Sequence, residues 1–556
     1  MCSSDLWYGT GDSVTVTKAV RVKNYFGKKN YYYITAGGTN GKRMTEKPAV
    51  TGTPLLSRTT TKSYFFKEDE TIKVQETGRL YFGDLFNFPN KSRTYTNTLN
   101  ELVPGSKINY SLSMANVNHS SDYSSPRTID FEMSESNNVI LRSQLDYVVY
   151  TYGFGSITQR SASFTGNLTD NRSTLKLNLT GIDDNAKTAY LNFFEIEYDR
   201  YLRAASDNLL FYSPDTTGLV EYRLSNFSNS FIDVYDITDY KNVKRITGTN
   251  ISGGECSLSL NGTKGAIEKY LAVSNTAYKS IPTAKETVEN SNYRGESAGY
   301  EYVIIAPSLL KNEAEDPKNY RAGQAPTRLS SAVFITEKIY NEFSGGMVDP
   351  SAIRDFLKYA YENWTVKPRF ALLLGDGTYD YYGISETGRS KNLIPTMQTI
   401  ESLDEVDSYP NEDFFARISG NDNKVDIGLG RISVHNTAEA QAVISKIKNY
   451  ETANETDKNW RSVITLVGDD GFPLKNYDYD LHTVQSEQLA LYYIPKTFNV
   501  NKIYLAAYPT NITSAGRRKP SVNQAILDAM NNGTLILSYI GHGAPNIWAD
   551  ELVLET

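Results

Sequence analysis

Along the first half of the chain, to about Lys285, apolar and polar positions alternate with a period of two. SVTVTKAVRVKNY (13–25), SYFFKEDETIKVQETGRLYFGDLF (63–86), KINYSLSMANV (107–117), VILRSQLDYVVYTYG (139–153), STLKLNLTGI (173–182) and AYLNFFEIEYDRYL (189–202) show it most clearly. Clusters of Gly, Asn, Asp and Ser separate these runs. Short alternating runs punctuated by turn residues predict strands half buried in a sandwich or jelly-roll, one or two such domains over residues 1–285. The stretch 286–299 (ETVENSNYRGESAG) is poor in apolar residues and is expected to be a linker.

After it the rhythm changes. Continuous apolar runs at YVIIAPSLL, AVFIT, RFALLLGDG and KVDIGLGRI read as strands buried on both faces. DPSAIRDFLKYAYENW and TAEAQAVISKIKNYE have helical periodicity. Asp349 is the expected N-cap of the first of these helices, with Pro350 at its first position. Strand and helix in alternation predict a parallel sheet covered by helices over residues 300–457. The pattern restarts over residues 458–556. A strand (SVITLVGDDG), a helix (LHTVQSEQLALYYI), a strand (NKIYLAA), a helix (SVNQAILDAMNNG) and a strand (TLILSYIGHG) form a second α/β unit with three strands. A sheet so small is expected to be unfinished, because its outer strand exposes unpaired backbone.

The length of 556 residues implies several cores. A net charge of −7 leaves no basic stripe to follow phosphates, which excludes nucleic acid as a main partner. Tyrosine is abundant at 41 residues and falls within Thr-, Ser- and Asn-rich runs, as in strands of secreted or surface proteins. The first residues lack a basic start and an apolar core, so no signal peptide is visible. With two cysteines, Cys2 and Cys256, neither a disulfide framework nor a cysteine metal site is expected. Cys256 reads as a buried strand residue. ITAGGTNGKRMT fails as a phosphate loop because Ala36 stands where the first glycine is required.

The candidate chemistry lies near the carboxyl ends of strands in the last unit, where open α/β sheets gather reactive groups. His542 follows the last strand between Gly541 and Gly543, which would let the backbone turn sharply and bring amide N–H groups to a reacting carbonyl. The alternative is a histidine held in a simple turn. Asp469 and Asp470 end another strand of the same unit and either orient that imidazole or cap the next helix. His482 begins that helix, where a solvated or capping role is expected. No metal is expected at these residues. The acid-rich loops ESLDEVDSYPNEDFF (401–415) and NDNKVD (421–426) offer oxygen ligands for calcium or are plain turns.

Several of these stretches stand in a familiar order: ITEKIYNEFSGGMVDPSAIRDFLKYAY, LLLGDGTYDYYG, SYPNEDFFARI, VDIGLGRISVHNTAEAQAVISKIKNYE, WRSVITLVGDDG and LSYIGHGAPNIWADE. In this the chain resembles gingipain-family cysteine peptidases, most of all their sortase-like members in the type IX secretion system. The resemblance runs from about Tyr190 to Thr556. It implies a caspase-like peptidase domain of two parallel-sheet subdomains, the second truncated, with the catalytic histidine after one strand and the cysteine nucleophile after the next. His542 matches the general base and acid, and Gly543 the glycine whose amide helps bind the oxyanion. The acidic partner falls at Asp469 or Asp470. Trp548 and Glu551 match packing or substrate-lining positions.

The nucleophile is then expected beyond Thr556, so that this chain is an N-terminal portion, inactive alone. The resemblance further implies protein substrates with C-terminal secretion signals, a lipopolysaccharide acceptor, other secretion components as partners, no cofactor, and a place at the cell surface or outside the cell. Two other readings remain open: a surface or adhesion protein with a degenerate peptidase-like domain, and a general secreted protease.

Overall fold

The computed structural model describes residues 6–8, 20–22, 24–27, 29, 31–33, 43–118, 128–146, 155–180, 182, 187–280, 283, 286–323, 326–384, 392–404, 407–452, 459–471, 479–514, 516–544 and 546–555. It divides into two compact units, Met1–Ile447 and Lys448–Thr556. No helix among the described residues is long and apolar enough to cross a membrane.

The β-rich part of the first unit is two sandwiches. In one, a sheet holding Ile129–Glu135 and Arg172–Leu179 faces a sheet holding Lys107–Asn118 and Lys187–Tyr201. The inward residues of both, among them Phe131, Leu175, Tyr110 and Phe194, make one core. This is the two-residue period turned into layers: every second side chain is apolar, and those side chains meet between the sheets. The second sandwich has its own core around Phe211, Tyr222, Leu258 and Tyr270. Of the expected strands, most of 13–25 and the end of 139–153 lie outside the described residues.

The same unit then carries a parallel sheet ordered Ser331–Ile335, Tyr302–Ala306, Phe370–Leu374, Gly428–Ile432. Val303, Ile305, Ala371 and Leu373 enter one core, while Ile304, Ala306, Leu372 and Leu374 enter another. Burial on both faces is why these strands read as unbroken apolar runs. The helix Pro350–Asn363 begins as expected, with the Asp349 carboxylate accepting the Ser351 N–H at 2.8 Å.

Two helices were not legible in the sequence. Lys311–Gly323 is polar, contains Pro317 and buries only Ala314 and Tyr320; Thr336–Phe343 is two turns long. The stretch expected as a linker is irregular but anchored, since Tyr293 packs on Phe334 and Phe356.

In the acid-rich loops several described carboxylates have protein partners. Glu401 accepts the amides of Ser402 and Leu403, Asp426 those of Ile418 and Ser419, and Glu412 pairs with Arg431 at 2.8 Å. Glu401 and Asp426 thus hold backbone amides, and Glu412 holds the Arg431 guanidinium.

The second unit holds β1 (Val463–Gly468), α1 (Leu481–Gln488), β2 (Asn499–Tyr504), α2 (Pro520–Asn532) and β3 (Ile536–Ile540). The strands are parallel in the order β2-β1-β3, with β1 central. α2 ends at Gly533, whose φ of +88° lies in the region that favours glycine. Val467, Ile503, Val522 and Ile526 pack between sheet and helix, and Ala549 and Val553 return to join them. β3 is an edge strand and its residues are half buried, with Ile536 at 51% exposure.

Candidate active site

Parallel pairing of β1 with β3 brings Gly468 level with Ile540, so the residues that follow each strand emerge side by side. The Asp469 N–H donates to the Ile540 carbonyl at 3.0 Å, closing the two strand ends together. In return the Asp469 carboxylate accepts the backbone N–H of His542 at 3.0 Å. Its Oδ2 also stands 3.7 Å from His542 Nδ1. That gap is longer than a hydrogen bond, in the range that catalytic pairs show before substrate binds. Asp469 is buried and the His542 side chain is 55% exposed, so the acid is fixed and the imidazole is open to solvent.

Tyr539 braces the turn from beneath. Its hydroxyl donates to the His542 carbonyl at 2.5 Å and approaches Asp469 Oδ2 at 3.4 Å, and its ring stacks on Trp548 with centroids 4.4 Å apart. The His542 carbonyl also accepts the Ala549 N–H. Burial beside Asp469 holds the Tyr539 phenol well above its ordinary range, so it stays a donor at neutral pH.

The glycines act differently from the sequence expectation. Neither Gly541 nor Gly543 takes a positive φ. Glycine is required at 541 by close approach, because a Cβ there would collide with the Tyr539 hydroxyl and with Asp469 Cβ. Gly543 instead opens a short ribbon, pairing with Trp548. It is exposed, and a Cβ would lie 3.1 Å from the Ile547 carbonyl oxygen.

Asp470, equally eligible in the sequence, belongs to a different cluster. Its Oδ2 lies 3.0 Å from Arg517 and 3.1 Å from Lys519, and Arg517 reaches on to Glu551 at 2.9 Å. Glu551 is 2% exposed. Burial raises its carboxyl above the usual range, against the pull of Arg517. Neither aspartate caps α1, whose N-cap position is Asp480. Thus Asp469 and Gly543 stand with His542, Trp548 supports Tyr539, and Asp470 and Glu551 form a buried ion-pair group beside them.

Sequence reasoning missed Tyr539 and Arg517, and gave His482 a solvated or capping role, whereas its ring nitrogens are buried. The His482 ring meets the His542 ring edge to face at 5.1 Å, across the strand ends. Nothing in the spacing of the two histidines, sixty positions apart, signals this. Cys256 lies in the core of the second sandwich at 2% exposure, and burial pushes its thiol up to about 11. A thiol so held does not ionise near neutrality and is no nucleophile.

Residues 296–556 match Peptidase family C25. Gingipain R2 of Porphyromonas gingivalis is 22% identical over 247 residues, covering 44% of this chain and 28% of that protein. A second Gingipain R2, from another strain of that species, is 22% identical over 272 residues and is covered over 31% of its length. The solved dimeric latent PorU of Porphyromonas gingivalis superposes with a TM-score of 0.67 at 18% identity, covering 81% of this chain and 43% of that one. The chain therefore spans under half the length of each of these relatives. Residues 296–556 thus match Peptidase family C25, a family of cysteine peptidases, and the chain shares its fold with PorU.

Proposed function

We propose that this chain carries the histidine side of a cysteine endopeptidase or transpeptidase that removes C-terminal secretion signals from proteins exported by a type IX system, at the cell surface. The observation that carries the chemistry is the pairing of His542 with the buried Asp469 at adjacent strand ends. Asp469 is a positioning residue. It fixes the turn through the His542 amide and faces Nδ1, which leaves Nε2 to take the proton of a thiol.

The thiolate then forms a bond to the scissile carbonyl carbon while backbone N–H groups, with Gly543 the candidate here, hold the oxyanion. The imidazolium returns its proton to the departing amine as the C–N bond breaks. Water, or an amine on a surface acceptor such as lipopolysaccharide, releases the thioester. The edge of β3 is open to a neighbouring strand.

The test is processing of cargo in a deletion strain complemented with the thiol-bearing protein. His542→Ala is expected to abolish signal removal while the sandwiches stay folded. Asp469→Asn is expected to lower kcat by about 10²–10⁴-fold with little change in KM and an altered pH profile. Normal processing by His542→Ala would overturn the assignment of the base.

A further inference from the structure

His482 has no place in the mechanism, yet it is held against the mechanism's base. It sits at the first turn of α1, and both its ring nitrogens are shielded from solvent without a hydrogen-bond partner among the described residues. A buried polar atom left unpaired costs free energy, so an imidazole with two such atoms calls for a ligand. One nitrogen of His482, one of His542 and a carboxylate oxygen of Asp469 all lie within 4.8 Å of one another. We infer that these three side chains form a binding site for a transition-metal dication of the zinc type.

The donor set decides the class of metal. Two imidazoles and one carboxylate suit zinc and its neighbours, whereas calcium and magnesium prefer oxygen throughout. Tetrahedral bonds of about 2.0–2.2 Å set donor atoms roughly 3.4 Å apart, so donors now within 4.8 Å of one another draw together on the ion. Asp469 and His482 supply the fixed, sheltered side, and the exposed His542 the entry from solvent. Three protein ligands leave the fourth tetrahedral position open.

The consequence rests on the reading of His542 as base; the site itself does not. Bound through Nε2, the imidazole has no lone pair for a thiol proton. Bound through Nδ1, the neutral ring carries its proton on Nε2 and again accepts none. Either way the metal holds the peptidase in an inactive state that a chelator reverses.

The experiment titrates zinc chloride into the metal-stripped 556-residue chain against a chromophoric chelator, with X-ray absorption at the zinc edge. One equivalent bound through imidazole and oxygen is expected. His482→Ala and the size-matched His482→Gln should each weaken it by at least tenfold, on the order of the 10–100-fold losses seen for lesser changes around metals. His435→Ala should not, because His435 is engaged elsewhere by Asp376 and Glu439. No zinc binding, a sulfur-containing shell, or unchanged affinity in folded His482→Gln would overturn the site. Zinc binding that leaves the thiol-bearing enzyme fully active would support the site and overturn the reading of His542 as base.

Discussion

Removing Arg517 tests the charge arrangement behind the candidate site. Its guanidinium lies 2.9 Å from Glu551 and 3.0 Å from Asp470, with side-chain exposures of 20%, 2% and 12% respectively. Deleting one partner of a buried ion pair costs about 3–5 kcal/mol, because the other charge is left uncompensated. In Arg517→Met, Lys519 still stands 3.1 Å from Asp470, so the orphan is Glu551. The expected loss is therefore near the lower end, about 3 kcal/mol at neutral pH.

The loss depends on pH in a definite direction. The Glu551 carboxyl is already raised above its unfolded value by burial, and losing Arg517 raises it further. The penalty is absent below the unfolded value, where the carboxyl is protonated in both states. It grows as the pH rises from there through the folded value. Hydrogen exchange read by mass spectrometry on peptides covering Val463–Gly468 and Ile536–Ile540 reports it locally. A cost of 3 kcal/mol appears as roughly a hundredfold faster exchange. The double variant with Glu551→Gln should recover much of the loss. A single variant costing under about 1 kcal/mol, the range of an exposed pair, or a double variant no better than the single, would refute the argument.

Gly541→Ala is expected to cost about 1–3 kcal/mol by overpacking, and to displace His542 from Asp469, whereas Gly543→Ala is milder; thermal unfolding and histidine NMR shifts distinguish them. Lys47 bonds Asp236 at 2.7 Å and Glu268 at 2.9 Å in the second sandwich. Burial pushes the Asp236 carboxyl up, but the hydrogen bonds from Lys47 and Thr238 more than offset this and hold it low. That stabilisation is present above the unfolded value and lost as pH falls through the folded one. Lys47→Met should therefore cost about 1.5–3 kcal/mol near neutrality and progressively less in acid, as calorimetry across pH would show. Cys256 should resist iodoacetamide in the native protein and react on denaturation, as peptide mapping would reveal.

The alternation of residues such as Leu175 and Leu177 was enough to predict β-sandwiches, because a strand with one buried face must repeat every second residue. The unbroken runs of Tyr302–Ala306 and Phe370–Leu374 predicted a parallel sheet for the complementary reason, burial on both faces. His542, after an apolar strand and between glycines, stood out in the sequence as a candidate, with a plain turn histidine as the alternative. Tertiary structure gave Asp469 and Asp470 different partners: their carboxylates lie close together, yet one holds the His542 turn and the other pairs with Arg517 and Lys519. It also decided that Gly541 is needed for close approach rather than for turning, and it put His482 beside His542. Periodicity records which side chains avoid water, a property each residue carries with it. Which groups meet at the strand ends depends on strand order and register, which bring together residues distant in the chain.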